Sequence, residues 1–182
     1  MRVVSGKYRG LKLFSPEDKA IRPTTDRLKE TLFNVISPYI SECNFLDLFA
    51  GSGAIGIEAA SRGAKSVTFV EQDKQAFELL SKNVKLAKGL IENVSLINDS
   101  VENVLLLLSK KSKQFDVVFL DPPYYKGYEE TILQLVCELN IIADDGIIIV
   151  EQGAETAMIE LGGLTCFKQK HFKTTSFIFY RR

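Results

Sequence analysis

From residue 44 to residue 151 the chain repeats one pattern: a short apolar run, a polar or glycine-rich break, then an amphipathic stretch. NFLDLF, SVTFVE, NVSLIN and FDVVFL read as strands. AIGIEAASRGA, DKQAFELLSKNVKLAK, SVENVLLLLSKK and YEETILQLVCELN read as the helices that follow them. Strands joined through helices lie parallel, because the helix carries the chain back to the starting edge. The expected fold is therefore α/β, a mostly parallel sheet with helices on both faces. A fifth strand, IIIVE, follows a turn at Asp144-Asp145-Gly146. A short helical stretch near 154–161 then leads into a closing hairpin built from 164–170 and 174–181. Upstream, residues 2–13 alternate loosely around glycines and read as a small β-hairpin. In TTDRLKETLFNVI, Leu28, Leu32, Val35 and Ile36 fall at helical spacing. Thr24, Thr25 or Asp26 can cap that helix, and Pro38 helps to stop it.

Open parallel sheets bind ligands at the carboxyl ends of their strands, near the switch in strand order. Four such ends carry chemistry here: Gly51-Ser52-Gly53, Glu71, Asp99, and Asp121-Pro122-Pro123-Tyr124. Gly51, Gly53 and Gly56 match G-x-G-x-x-G. In that pattern glycine lets the backbone turn tightly and approach a ligand, and the next helix offers free N–H groups. A dinucleotide and S-adenosylmethionine both fit that layout. Asp47, inside the first strand, favours the second, because a carboxylate suits an ammonium and a sulfonium better than a pyrophosphate. Glu71 lies twenty residues after Gly51 and can accept from both ribose hydroxyls, which either cofactor offers. Asp99 can accept from an adenine amine with Ser100 beside it, or cap the helix that follows. With Phe49, Ala50 and Gln72, these residues make up the candidate cofactor set, and the expected cofactor is S-adenosylmethionine without a metal.

Asp121-Pro122-Pro123-Tyr124 fits the (D/N/S)-P-P-(Y/F) pattern of enzymes that methylate exocyclic or amide nitrogens. An aryl amine is a poor nucleophile because its lone pair is delocalised into the ring. The Asp121 carboxylate and the Pro122 carbonyl can accept its two N–H groups, favour pyramidalisation and aim the lone pair at a sulfonium methyl. The two prolines hold that backbone extended, and Tyr124 can stack on the base. Catalysis is then mostly positioning and electrostatics. The single histidine, His171, is expected on a surface hairpin, and no histidine base is needed. Cys43, Cys137 and Cys166 contain no CxxC pair and read as small core residues; neither a disulfide framework nor a metal site is expected.

The chain of 182 residues has zero formal net charge, but the charge is unevenly spread. Residues 1–29 hold eight Lys/Arg against three acids, residues 161–182 five against none, and residues 30–160 ten against twenty. Basic ends on an acidic body suit a localised anionic partner such as nucleic acid, unless they are solvated charges that cancel in space. No apolar run approaches a membrane span and no signal peptide is legible, so a cytoplasmic protein is expected.

The order DLFAGSG…E…DPPY is that of Rossmann-like methyltransferases. The stretches MRVVSGKYRGLKL and RPTTDRLKETLFN narrow the resemblance to the RsmD family of bacterial 16S ribosomal RNA guanine N2-methyltransferases. It runs from Arg2 through IIIVE and weakens over the last thirty residues. The resemblance implies a class I S-adenosylmethionine-dependent methyltransferase fold, with a mostly parallel seven-stranded sheet. Residues 1–20 would be an N-terminal hairpin extension and 21–182 the methyltransferase domain. It implies cofactor roles for Asp47, Gly51, Ser52, Gly53 and Glu71, and target-amine roles for Asp121, Pro122 and Tyr124. The hairpin would contact RNA through Arg2, Lys7 and Arg9. The substrate would be one guanine of 16S rRNA in the small ribosomal subunit. Several relatives have Phe where this chain has Tyr124, and both residues can stack.

Arg22 and Arg27 either hold phosphates, line the cofactor mouth, or pair with Asp26 and Glu30. The loop after Tyr124 is either substrate-side or surface filler. A DNA adenine N6-methyltransferase would use the same D-P-P-Y physics, but the chain has no sizeable target-recognition domain. Protein glutamine methyltransferases usually carry Asn where Asp121 stands. A nicotinamide-dependent oxidoreductase is disfavoured by Asp47 and D-P-P-Y. A non-enzymatic RNA-binding role would need a dead pocket. A monomer is the default expectation.

Overall fold

In a computed structural model, residues 1–15, 26–87, 93–123 and 127–182 are described. The apolar runs become β1 (Asn44–Leu48), β2 (Ser66–Val70), β3 (Asn93–Ile97), β4 (Phe115–Leu120) and β5 (Ile142–Gly153). Between them run α2 (Ala54–Ser61), α3 (Lys74–Leu86), α4 (Val101–Lys110) and α5 (Tyr128–Glu138), preceded by α1 (Asp26–Ile36). Strands β6 (Thr165–His171) and β7 (Thr175–Arg181) close the chain. The seven strands form one sheet in the order β3-β2-β1-β4-β5-β7-β6. The first five pair in parallel, and β7 joins antiparallel to both β5 and β6. The order reverses between β1 and β4, so the crevice that a doubly wound sheet offers opens between their carboxyl ends.

The central strands are apolar on both faces, as a covered parallel sheet requires. Phe45, Val67, Val117, Phe119, Ile147 and Ile149 enter one core with residues of α1 and α2; Leu46, Val70, Val118, Leu120 and Ile148 enter a second with α4 and α5. Helix α2 is buried along its whole length. Gly56 allows this, since a Cβ there would lie 2.3 Å from the Phe69 ring.

The N-terminal hairpin is shorter than expected. It pairs through a single antiparallel bridge, Arg2 with Lys12, flanked by the bonds Val3 N–H to Leu11 O and Leu13 N–H to Met1 O. Val3 and Leu13 are buried in the first core. The rest of the segment is held by α2. Glu58, fully buried, accepts from the N–H groups of Val4 (2.7 Å) and Ser5 (2.9 Å). Ser61 O accepts from Lys7 N–H, and Gly6 is required at that approach: its φ is +82°, and a Cβ would come within 1.9 Å of Ser61 O. Lys29 of α1 donates to Arg2 O and lies 3.7 Å from Glu58; Arg62 reaches the same carboxylate at 2.8 Å. Burial lowers the Lys29 pKa, against the pull of Glu58.

Three local expectations are corrected. Residues 154–161 form no helix. Gln152 Nε2 donates to the carbonyls of Thr156 and Ala157 and Tyr180 Oη to that of Ile159, so side chains occupy acceptors a helix would use internally. Asp144-Asp145-Gly146 is not a turn ahead of a strand. It lies inside β5, where the register against β4 jumps from Phe115–Ile142 to Val117–Ile147 and the extra residues bulge out. Of the cysteines, only Cys43 is fully buried. Pro38 lies in a short 3-10 turn, Ser37–Tyr39, directly after α1. Thr24 and Thr25, two of the capping candidates, lie outside the described residues.

Candidate active site

The turn after β1 is built from backbone that side chains rarely tolerate. Phe49 (φ 63°), Gly51 (φ 54°) and Gly53 (φ 78°) all take left-handed conformations. For Phe49 this costs on the order of 1–3 kcal/mol, a strain that persists only where the surroundings impose it. Here they do: Ala50 N–H donates to Val70 O, Gly53 N–H to Ala50 O, and Gly51 N–H to Glu71 Oε2, each at 2.8–2.9 Å. A Cβ on Gly51 would meet nothing within 4 Å. That glycine therefore faces open space, as the floor of a ligand cradle does. The Phe49 ring tilts against Tyr128 with centroids 6.4 Å apart.

Glu71, one step past β2, is the second wall. Its two oxygens accept from Gly51 N–H and Asp73 N–H, both at 2.8 Å. Each oxygen keeps a further acceptor direction for a hydroxyl. Gln72 is exposed beside it. Asp47, 2% exposed, accepts from Gly56 N–H at 2.9 Å and so satisfies an orphan donor at the start of α2, whose N-cap Gly53 brings no side-chain bond. Burial pushes the Asp47 carboxyl up to about 7; the Gly56 N–H opposes that and the Glu71 charge adds to it.

At the end of β3 the capping assignment is corrected. Ser100, not Asp99, is the N-cap of α4, its hydroxyl accepting from Asn103 N–H. Asp99 accepts instead from Ser100 N–H and the Asn103 amide, and these bonds lower its pKa. Asp99 stays at the surface, beside the strand end.

Across the switch point, Asp121 follows β4 and is half-buried, with Pro122 buried and Pro123 exposed. Burial holds the Asp121 carboxyl well above the usual carboxylate range, and the charges of Glu151 and then Asp47 raise it further. None of the salt bridges among the described residues reaches Asp47, Glu71 or Asp121. The crevice is thus acidic, low in dielectric and able to take a cation, which fits a cofactor carrying an ammonium and a sulfonium. Tyr124, Tyr125 and Lys126 lie outside the described residues.

The structure therefore brings Asp47, Phe49, Ala50, Gly51, Ser52, Gly53, Glu71 and Asp121 to one crevice. Sequence reasoning missed two residues there. Glu151, at the carboxyl end of β5, carried the same signal as the other strand ends, a polar residue closing an apolar run. Asn83, fully buried on α3, donates to Ser52 O (2.8 Å) and exchanges two bonds with the Phe14 backbone, tying the glycine turn to the N-terminal segment. A lone Asn in an amphipathic helix gave no such warning. Arg2, Lys7, Arg9 and Arg27 are exposed, and Arg2 pairs at 2.8 Å with Asp26, the acid that the sequence offers to Arg22 and Arg27. Arg22 lies outside the described residues. His171 sits on the outer strand β6, bonded to Ser176 and Gln169. No group of residues that could hold a metal ion is found among the described residues, and none of their helices is long and apolar enough to cross a membrane.

A family model described as conserved hypothetical protein 95 matches residues 1–181. The chain is 41% identical to ribosomal RNA small subunit methyltransferase D of Haemophilus influenzae over 181 residues, covering 100% of this chain and 92% of that protein. It is 38% identical to the protein of the same name in Escherichia coli K12, over 87% of this chain and 77% of that protein. Among solved structures it resembles the Escherichia coli chain yhhF, described as a proposed methyltransferase, with a TM-score of 0.87 at 33% identity, covering 100% of this chain and 97% of that one.

Proposed function

The chain belongs to the conserved hypothetical protein 95 family, the RsmD family, with the class I methyltransferase fold and S-adenosylmethionine as its cofactor, and from that premise we propose that it methylates the exocyclic N2 amine of one guanine in 16S rRNA of the small ribosomal subunit. The observation that carries this reading is the position of Asp121-Pro122-Pro123 at the end of β4, next to the glycine turn of β1 across the switch in strand order. The relatives' names support ribosomal RNA as the substrate.

The bound cofactor supplies a methyl group made electrophilic by its sulfonium. The chain's residues do the rest. Gly51, Ser52 and Gly53 bring backbone close to the cofactor, with Phe49, Ala50 and Gly56 shaping the turn. Glu71 accepts from the ribose hydroxyls, flanked by Gln72, and Asp99 and Ser100 border the adenine. Asp47 faces the cationic methionine end. Asp121 and the Pro122 carbonyl accept the two N–H groups of the amine and orient its lone pair; Pro123 stiffens that backbone and Tyr124 stacks on the guanine. In this reading residues 1–20 are an RNA-contacting extension of the domain formed by 21–182. Arg2, Lys7, Arg9, Arg22 and Arg27 meet phosphates, and a cytoplasmic monomer acts on the subunit.

The test is methyl transfer from labelled S-adenosylmethionine to unmethylated bacterial small subunits, with free 16S RNA and duplex DNA in parallel. N2-methylguanine from subunits, identified by mass spectrometry of nucleosides, is the expected product. N6-methyladenine from DNA would retain the role of Asp121 and overturn the substrate.

A further inference from the structure

Glu151 is a buried acid, 4% exposed, that the reaction as described does not use. Its neighbour is set by register. Leu120 of β4 pairs with Val150 of β5, the next residues along these parallel strands are Asp121 and Glu151, and the Glu151 charge acts on Asp121. Side chains alternate along a strand. Phe119 and Ile149 belong to the core on the α1/α2 side, so both acids project to that same face, level with the open crevice. The Thr175 hydroxyl of β7 lies 3.2 Å from Glu151 Oε1 and 3.0 Å from Gln152 O, and shares its one proton between them. Among the described residues, the ionisable group facing the pair from β1 is Asp47, which feels Glu71 of β2. The Thr175 hydroxyl and the Gln152 amide, at the end of β5, are neutral.

We propose that Glu151 is a positioning residue for Asp121, and that the two carboxyls act as one proton-accepting unit during methyl transfer. The proposal rests on the amine reading of Asp121. As the N–C bond forms, the methyl's bond to sulfur breaks and its electron pair stays on sulfur. The nitrogen becomes strongly acidic, and its proton moves to the carboxyl pair. Two like charges so close in a buried site do not both ionise, so the pair holds one proton and one negative charge before the reaction. The two carboxyls share that proton, and an Asp121 oxygen stays open as the acceptor toward the amine. Taking the second proton discharges the pair in the same step that discharges the sulfonium, so no net charge is created in a low-dielectric crevice. The proton leaves to solvent when the product departs.

The test compares the full-length enzyme with Glu151→Gln, which keeps the shape and removes the charge. The first readout is the titration of the Asp121 carboxyl by carbon NMR, assigned with Asp121→Asn, and it needs no substrate. In the wild type the Asp121 carboxyl must titrate in two coupled steps; in Glu151→Gln it must titrate in one, at least one pH unit below the upper step. The second is the pH profile of kcat on small subunits. Its acid limb must follow the single Asp121 step, and the plateau must fall at least tenfold, while the Kd for S-adenosylmethionine stays within threefold. Thr175→Val covers a glutamine variant that fails to fold. Losing the hydroxyl that favours the charged form must move the acid limb to higher pH. An unmoved Asp121 titration, or weakened cofactor binding with an intact kcat profile, overturns the proposal. A wild-type enzyme that makes no N2-methylguanine overturns the substrate reading instead, and the carboxyl titration still decides the pair.

Discussion

Glu58 and Asp47 are both buried acids, eleven residues apart, and their surroundings differ sharply. Glu58 is neutralised. Lys29 and Arg62 approach it, and the N–H groups of Val4 and Ser5 donate to it. Asp47 accepts from the backbone N–H of Gly56, and the charge that acts on it is another acid, Glu71. The first arrangement is what a buried charge needs to support a fold. The second stores electrostatic free energy, the usual mark of a site awaiting a ligand. Asp121 and Glu151 extend the second arrangement across the switch point. The contrast separates acids that hold the N-terminal segment on α2 from acids that face the crevice.

Four substitutions probe that separation. Asp121→Ala should lower turnover by about 10²–10⁴-fold, the scale of a positioned proton acceptor, with the cofactor Kd nearly unchanged and the melting temperature no lower than wild type. Turnover near the wild-type rate would sink the role given to Asp121. Lys29→Met attacks the other class. Breaking a buried ion pair costs roughly 3–5 kcal/mol, and about 3 kcal/mol is expected because Arg62 still faces Glu58. Urea unfolding reads that loss, and the kcat of the remaining folded enzyme should stay at the wild-type value. Glu71→Ala should weaken S-adenosylmethionine binding by about 1.5–3 kcal/mol, the range for hydrogen bonds to a charged group, as measured by titration calorimetry. An unaltered Kd would remove Glu71 from the cofactor site.

Asp47→Asn gives the most diagnostic effect, because its sign is opposite to that of Lys29→Met. Asp47 titrates at about 7 in the fold and near 3.9 unfolded. Between those values the folded state binds more protons than the unfolded one, so in the free enzyme this group makes stability fall as pH rises from about 4 to 7. Asn retains an acceptor for Gly56 N–H and has no such slope. The variant should therefore melt higher than wild type at pH 7 and close to it at pH 4.5, with weaker cofactor binding. A lower melting temperature at pH 7 would place Asp47 with Glu58, among the acids that support the fold.

Much of this was legible before any coordinates. The alternation of periods 2 and 3.6 predicts the five parallel strands and their helices, and polar strand ends predict where the crevice chemistry gathers. The misses share a cause. Residues 154–161 carry enough apolar residues to resemble a helix, yet their carbonyls are claimed by Gln152 and Tyr180, residues near in space. The Asp144-Asp145-Gly146 turn signal is real, but pairing with β4 on both sides absorbs it as a bulge. Asp99 reads as the cap of α4, but backbone geometry gives that place to Ser100, one residue on.

Local chemistry is written in the chain itself. Glycines permit left-handed turns, prolines stiffen the backbone after β4, and apolar periodicity sets element type, because these properties depend on a residue and its near neighbours. Which acids meet is decided elsewhere. Asp47, Glu71, Asp121 and Glu151 come from four strands separated by twenty or more residues, and only the order β2-β1-β4-β5 sets them in one row. The charge state of each follows from that row, since burial and the neighbours' charges act through space and not along the sequence.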